Sequence, residues 1–206
     1  MKERPILFSA PMVRAILDGR KTQTRRVVKG DHGGPTTWVE RDGLWHPCAD
    51  VLCRGALDAV GPGVRCPYGQ RGDRLWVRET WCVADPDYAH YPADGRPLRS
   101  DDRWAWYRAT EGDLVEYTNN RSPWRPSIHM PRWASRLTLE VTGVRVERLQ
   151  DLSEEDARAE GVEPLGSLGR VPPHINGFAD LWEQINGAAS WDANPWVWVV
   201  EFRRIL

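Results

Sequence analysis

Residues 196–202 read WVWVVEF, and this run near the end of the chain decides the class of fold. An apolar run of strand length, without the alternation of a half-buried strand, predicts a strand covered on both faces. We therefore expect these residues at the centre of a sheet, where the final strand completes it.

A second strand is predicted from the alternation in residues 135–149. Leu137, Leu139 and Val141 share one face, and Gly143 suits a bulge before the pattern resumes. Composition also predicts strands at the end of KTQTRRVV and at 75–81. These segments give the sheet most of its strands.

Short helices are predicted between the strands. PMVRAILDG (11–19) has Pro in its first turn and Gly at its end. In DLSEEDARAEG (151–161), Ser153 is a suitable N-cap, Asp156 follows three residues later and Gly161 can end the helix. A third helix is expected near Phe178 to Ile185.

Two stretches, at about 30–66 and 84–130, are rich in Gly, Pro and Asp and are interpreted as irregular insertions. The second contains one candidate strand, Trp104 to Arg108. The whole is predicted to be a single domain over residues 1–206, of α+β class, with a small mixed barrel as its architecture.

Composition restricts the kind of protein. The net charge is −1, but residues 1–29 carry eight cations and two acids, which suggests a local face for an anionic ligand. No apolar run could span a bilayer, so no membrane partner is expected. Four cysteines do not suggest a disulfide framework, and a reducing cytoplasm is the predicted location. P-loop, dinucleotide-binding and HExxH motifs are absent from the sequence.

The segment LDGRKTQTRR (17–26) is the main candidate for a site. The neighbouring cations Arg20, Arg25 and Arg26, together with partial burial, would lower the pKa of Lys21 and allow it to take a proton from Thr24. The arginines would attract a phosphate or an oxyanion. The alternative is a solvated basic surface.

Glu160 is the candidate third group. It is expected in the last turn of the acidic helix, where the helix dipole and the preceding acids disfavour a carboxylate and would favour proton donation. The sequence alone does not bring Glu160 to Lys21.

Further candidates lie in and beside the insertions. His46, Cys48, Cys53 and Cys66 either bind one structural Zn²⁺ or are ordinary thiols and an imidazole.

Strand alternation places Arg78 on one face and Glu79 on the other, so Glu79 either enters a pocket or pairs with an arginine. Ser127 and Trp133 belong to WRPSIHMPRW, which is either a binding rim or a packed loop.

GRKTQTRR resembles the G-x-K-x-x-T-x-R signature of the ASCH domain superfamily, whose members have a PUA-like β-barrel. GDRLWVRETW, the acidic helix and the terminal VWVVEFRRI follow in the order found in that family. The chain as a whole resembles ASCH proteins encoded in prophages. The resemblance covers about residues 5–29, 67–81 and 133–206.

The resemblance implies an activity and a site. Small bacterial members are amidohydrolases that deacetylate acetylated cytidine and need no cofactor for catalysis. Their functional residues correspond to Lys21 as the base, Thr24 as the nucleophile and Glu160 as the aid to the leaving amine, with Arg26 holding the site. Other members are linked to RNA binding or ribonuclease activity, so an RNA or modified nucleic-acid reader is the alternative. Both insertions depart from the small amidohydrolases and leave the substrate open.

Overall fold

The computed structural model describes residues 1–30, 35–49, 61–84, 104–111, 124–166 and 172–205. Its helices are α1 (Ala10–Leu17), α2 (Arg108–Glu111), α3 (Glu154–Ala159) and α4 (Pro173–Asn186). Its strands are β1 (Glu3–Leu7), β2 (Gln23–Val27), β3 (Thr37–Arg41), β4 (Leu44–Cys48), β5 (Arg74–Arg78), β6 (Trp81–Ala84), β7 (Trp104–Tyr107), β8 (Thr138–Arg148) and β9 (Trp196–Ile205).

A five-stranded sheet in the order β1-β5-β8-β9-β2 forms the centre of the fold. The β1–β5 pair is parallel and the other three pairs are antiparallel. Two-stranded sheets β3–β4 and β6–β7 accompany it. The α+β class is therefore confirmed. Within the described ranges β1 and β2 remain the edges of the sheet, so its closure into a barrel stays a prediction.

Strand β9 is buried on both faces, as its sequence predicts. Trp198 and Val200 belong to the larger core cluster, which contains β1, α1, β5 and β8 side chains. Val197 and Val199 belong to a second cluster beneath α3 and α4. Consecutive residues of a strand point to opposite faces, so an apolar residue is needed at each position.

The bulge predicted in β8 is present, because the β8–β9 register shifts between Val141 and Gly143. A Cβ at position 143 would lie 2.5 Å from the Glu201 carboxylate, so only glycine fits there without a shift. The bulge lets both halves of the long strand pair with β9.

The first insertion is not wholly irregular, and the prediction for 30–66 is corrected here. Strands β3 and β4 form an antiparallel hairpin. Its two-residue turn has Asp42 at φ 54° and Gly43 at φ 73°, the conformation that favours Asp-Gly in tight hairpins. Trp38 anchors the hairpin by packing edge-on against Trp196, with ring centroids 6.3 Å apart.

The strand predicted over 75–81 is divided between two sheets. β5 ends at Arg78, and β6 begins at Trp81 and pairs with β7. Between them Glu79 is buried and forms an ion pair with Arg136, Nε to Oε1 3.0 Å. The strand predicted at Trp104 to Arg108 is confirmed as β7, although Arg108 already begins α2.

The acidic helix α3 is capped as predicted. The Ser153 hydroxyl accepts a hydrogen bond from the backbone N–H of Asp156 at 3.0 Å, and Gly161 follows the helix at φ 75°. Helix α4 is longer than predicted, since it begins at Pro173 and ends at Asn186. None of the helices in the described ranges is long and apolar enough to cross a membrane.

Candidate active site

The chain between α1 and β2 passes directly beside the end of α3. Lys21 and Glu160 form an isolated antiparallel bridge, and the Thr22 N–H donates to the Ala159 carbonyl at 2.8 Å. The Lys21 N–H donates to Ala15 in α1 at 3.0 Å, which fixes the start of the crossing. Residues that are 139 positions apart in sequence are thereby brought together.

Lys21 and Glu160 form a buried ion pair. Lys21 Nζ lies 2.7 Å from Glu160 Oε2 and also donates to the Glu160 carbonyl at 2.8 Å. The two side chains are 0 % and 3 % exposed. A buried charge requires a partner of this kind, because its desolvation is otherwise uncompensated.

Arg25 holds the other oxygen of the same carboxylate. Its Nη1 lies 3.3 Å from Glu160 Oε1, and its side chain is fully buried. Two further acids, Glu147 and Asp156, contact Arg25 Nη2. Glu160 is thus held between two cations, Lys21 and Arg25. Its role as a proton donor stays a prediction.

Thr24 is buried on the opposite face of β2 from Arg25. Its Oγ1 accepts a hydrogen bond from Arg26 Nη1 at 2.8 Å. Lys21 Nζ and the Arg26 guanidinium both lie 5.6 Å from the centroid of the Phe8 ring. Phe8 therefore connects the lysine with the Arg26–Thr24 pair. Among the described residues, Lys21 Nζ donates hydrogen bonds to Glu160 and none to Thr24.

The electrostatic environment of Lys21 agrees with the interpretation of its sequence. Burial lowers the pKa of Lys21 from its ordinary value, and the charges of Arg26 and Arg25 lower it further, while Glu160 opposes the shift. A lysine with a lowered pKa is a better candidate for a base than a solvated one.

A cavity of about 610 Å³ opens beside the ion pair. Glu160, Arg25 and Arg26 reach its wall, and much of the remaining wall is aromatic or polar: Phe8, Tyr68, Thr80, Ser127, Phe178 and Trp182. Exposed apolar side chains also line it: Leu7 is 43 %, Val27 37 % and Ile185 58 % exposed. The cavity is of the size that small-molecule ligands occupy and combines apolar walls with a few charged groups.

Other predicted binding residues fall into two groups. Arg25, Arg26 and Ser127 line the cavity. Arg20 is exposed and pairs with Asp18 and Glu163 instead.

Glu79 and Arg78 do not line this cavity. Glu79 takes the second of its two alternatives, an ion pair with Arg136. Arg78 donates to the Ile128 carbonyl and lies over the Trp76 ring. Trp133 packs edge-on against Trp81, with ring centroids 5.6 Å apart. Of Glu79, Arg78, Trp133 and Ser127, only Ser127 lines the cavity.

The four predicted metal ligands are not assembled in the described residues. Cys48 is in a disulfide, so its sulfur offers no thiolate, and this bond differs from the expectation of reduced cysteines. Cys66 is buried in the larger core cluster, and burial raises its pKa to about 11. His46 is in β4. Cys53 lies outside the described residues, and no cluster of three or more candidate metal ligands is found within them.

Several wall residues were not predicted from the sequence. Phe178 and Trp182 are spaced i, i+4 on α4, so the helical pattern could have placed them on one face. Nothing in the sequence places Phe8 or Tyr68 at this cavity, because the contact depends on how β1 and the loop before β5 pack.

Comparison of the chain with protein-family models, with curated proteins and with solved structures finds no match.

Proposed function

We propose that this protein is an ASCH-type amidohydrolase with a PUA-like barrel, acting on the amide of an acylated cytidine. The observation that carries the proposal is the buried Lys21–Glu160 ion pair, of which Glu160 reaches the wall of an apolar cavity. A buried ion pair contributes little net stability, because the desolvation of its charges offsets their attraction. The same burial lowers the pKa of a lysine, which suits a lysine that acts as a base.

Lys21 is the proposed base and Thr24 the proposed nucleophile. Lys21 first loses its proton to Glu160 and then takes the Thr24 hydroxyl proton. This step requires Lys21 Nζ to move from the Glu160 carbonyl towards Thr24 when substrate binds. Arg26, which already donates to Thr24 Oγ1, orients the nucleophile and stabilises negative charge on the oxygen.

The proposed reaction has two steps, the acylation of Thr24 and the hydrolysis of the resulting ester. Thr24 Oγ forms a bond to the amide carbon, the C–N bond breaks, and the amine of cytidine leaves with a proton from the Lys21–Glu160 pair. Water then attacks the acyl-threonine ester, releases the carboxylic acid and restores the hydroxyl. Arg25 keeps Glu160 in position through both steps.

The test is release of cytidine from acetylated cytidine by the wild-type protein and by Thr24→Val. Valine has the shape of threonine but lacks the nucleophile, so the rate should fall by about 10³-fold or more. Thr22→Val is the matched control, because Thr22 is exposed and two residues away, whereas Thr24 is buried and bonded to Arg26. Equal rates for Thr24→Val and Thr22→Val would refute Thr24 as the nucleophile.

A second candidate is a reader that binds the same base without chemistry. It is favoured by the resting hydrogen bonds, in which Thr24 accepts from Arg26 while Lys21 donates to Glu160. Tight binding of acetylated cytidine by the wild type without turnover would support this function over hydrolysis.

A further inference from the structure

The half-buried Tyr68 side chain lines the cavity of the candidate active site together with Arg26 and Phe8. Its hydroxyl forms a hydrogen bond with the Arg26 guanidinium. Arg26 Nη1 also donates to Thr24 Oγ1 at 2.8 Å, so one guanidinium contacts both the proposed nucleophile and a phenol hydroxyl. Neither step of the proposed reaction uses this hydroxyl.

A tight turn holds the backbone of Tyr68 in place. The Gly69 N–H donates to the Cys66 carbonyl at 3.1 Å, which closes a turn with Pro67 and Tyr68 as its central residues. Cys66 is buried in the larger core cluster, and Gly69 is buried so close to Asp73 that a Cβ would lie 2.9 Å from the carboxylate. Because both ends of the turn are packed, Tyr68 reaches the cavity from a well-supported position, as a preorganised donor requires.

The oxygen and the proton of the Tyr68 hydroxyl serve different partners. A guanidinium carries N–H donors and no acceptor, so the Tyr68 oxygen accepts from Arg26 and its proton is left for another group. Burial raises the pKa of Tyr68, whereas the charge of Arg26 opposes the shift. The hydroxyl is therefore protonated at neutral pH, and the hydrogen bond that it accepts from a cation strengthens it as a donor.

An acylated cytidine offers this proton two carbonyl oxygens, one on the ring and one on the acyl group. Only the acyl oxygen is bonded to the carbon that Thr24 would attack. Thr24 and Tyr68 contact the same guanidinium, so an acyl carbon that approaches Thr24 brings its own oxygen towards Tyr68. The acyl oxygen is therefore the better partner for Tyr68.

We propose that the Tyr68 hydroxyl is the hydrogen-bond donor for the acyl carbonyl oxygen of the substrate. When Thr24 Oγ bonds to the acyl carbon, the electron pair of the C=O bond moves onto this oxygen, and Tyr68 stabilises the negative charge while keeping its proton. The C=O bond forms again as the C–N bond breaks, so the step is balanced. This inference rests on the proposed function, because it assigns a further catalytic residue to the same site.

The first test is hydrolysis of acetylated cytidine by Tyr68→Phe, which removes the hydroxyl and keeps the ring. Tyr107→Phe is the matched control, because the Tyr107 hydroxyl donates to the Ala134 carbonyl at 2.9 Å in a different core cluster. We expect kcat to fall by about 10²-fold or more in Tyr68→Phe, the effect of one lost oxyanion donor, with little change in KM. The control should keep the wild-type kcat. Equal kcat values for Tyr68→Phe and Tyr107→Phe would overturn the inference.

A binding measurement tests the same contact without turnover. Thr24→Val and Thr24→Val/Tyr68→Phe are titrated by calorimetry with acetylated cytidine and with cytidine. Loss of one hydrogen bond to a neutral carbonyl should weaken the binding of acetylated cytidine by about 3- to 10-fold. Cytidine has no acyl oxygen and should bind equally to both proteins. Equal weakening for the two ligands would place the hydroxyl against the base and overturn the inference.

The outcomes separate this inference from the proposed function. A Tyr68→Phe variant as active as the wild type, beside an inactive Thr24→Val, would overturn the role of Tyr68 and leave the reaction standing. A wild type that hydrolyses nothing, with weaker binding of acetylated cytidine alone when the hydroxyl is removed, would refute the reaction and support the contact of Tyr68 with the acyl oxygen. Neither hydrolysis nor binding by folded wild type would overturn both.

Discussion

At the scale of single residues, the central feature is the pair Lys21 and Glu160. Both were candidates from the sequence, Lys21 from its spacing to Thr24 and Glu160 from its position at a helix end. Their contact could not be predicted from the residues alone, because it depends on the packing of α3 beside the chain that leaves α1. The local pattern also does not indicate that Arg25 contacts Glu160, because Arg25 is one of several cations in a basic run.

The pair predicts a specific pattern of stabilities. Lys21→Met leaves Glu160 buried with Arg25 as its remaining cation, so the free energy of unfolding should fall by about 3 kcal/mol. Lys21→Met/Glu160→Leu removes both charges and should lie within about 1 kcal/mol of the wild type. Urea denaturation measures both. A double variant as unstable as the single one would contradict a pair retained for function.

Cys66 gives a prediction for pH. Burial raises its pKa to about 11, above the ordinary value of 9.0, so the thiolate is scarce at pH 8 in the folded protein. We expect little alkylation of Cys66 by iodoacetamide at pH 8, more as the pH approaches 11, and rapid reaction in urea. Peptide mapping by mass spectrometry measures it. Rapid alkylation of folded protein at pH 8 would contradict the burial of this thiol.

At the scale of elements, α3 determines where Glu160 lies, and Ser153 determines where α3 begins. Ser153→Ala removes the cap to the Asp156 N–H and should cost about 1 kcal/mol of unfolding free energy. Ser9→Ala is the matched control, since Ser9 is the N-cap of α1 without a side-chain capping bond. Thermal unfolding compares the two; equal losses would contradict the capping role of Ser153.

The elements show where sequence patterns suffice. Strand β9, the bulge of β8 and the cap of α3 follow from local patterns and are confirmed. The β3–β4 hairpin was not predicted, although Asp42-Gly43 is an ordinary signal of a tight hairpin, because the surrounding Gly- and Pro-rich composition is typical of irregular loops. The division of β5 from β6 could not be predicted, because the Glu79–Arg136 ion pair is remote in sequence.

At the scale of the whole molecule, β9 joins two cores. Leu139 belongs to the core on one face and Leu149 to the core beneath α3 and α4. Since β9 is part of both cores, we expect the two cores to unfold together in one transition. Leu139→Ala and Leu149→Ala should each lower the unfolding free energy by about 2–5 kcal/mol. Chemical denaturation followed by circular dichroism and tryptophan fluorescence tests this; two separate transitions would contradict the shared strand.

The distribution of function over the molecule was only partly predictable. The basic first segment indicated an anion site, but two of its cations, Lys21 and Arg25, are buried against the Glu160 carboxylate, whereas Lys2 is exposed. Net charge along the sequence does not reveal this division. It depends on which side chains pack against the end of α3.

The measurement that most directly tests the central claim is hydrolysis of acetylated cytidine by the wild type beside Lys21→Met/Glu160→Leu. We predict that the wild type releases cytidine and acetate, and that the folded double variant is slower by about 10²-fold or more. Equal rates for the two proteins, or no release by folded wild type, would contradict the claim that this buried pair is a reaction site.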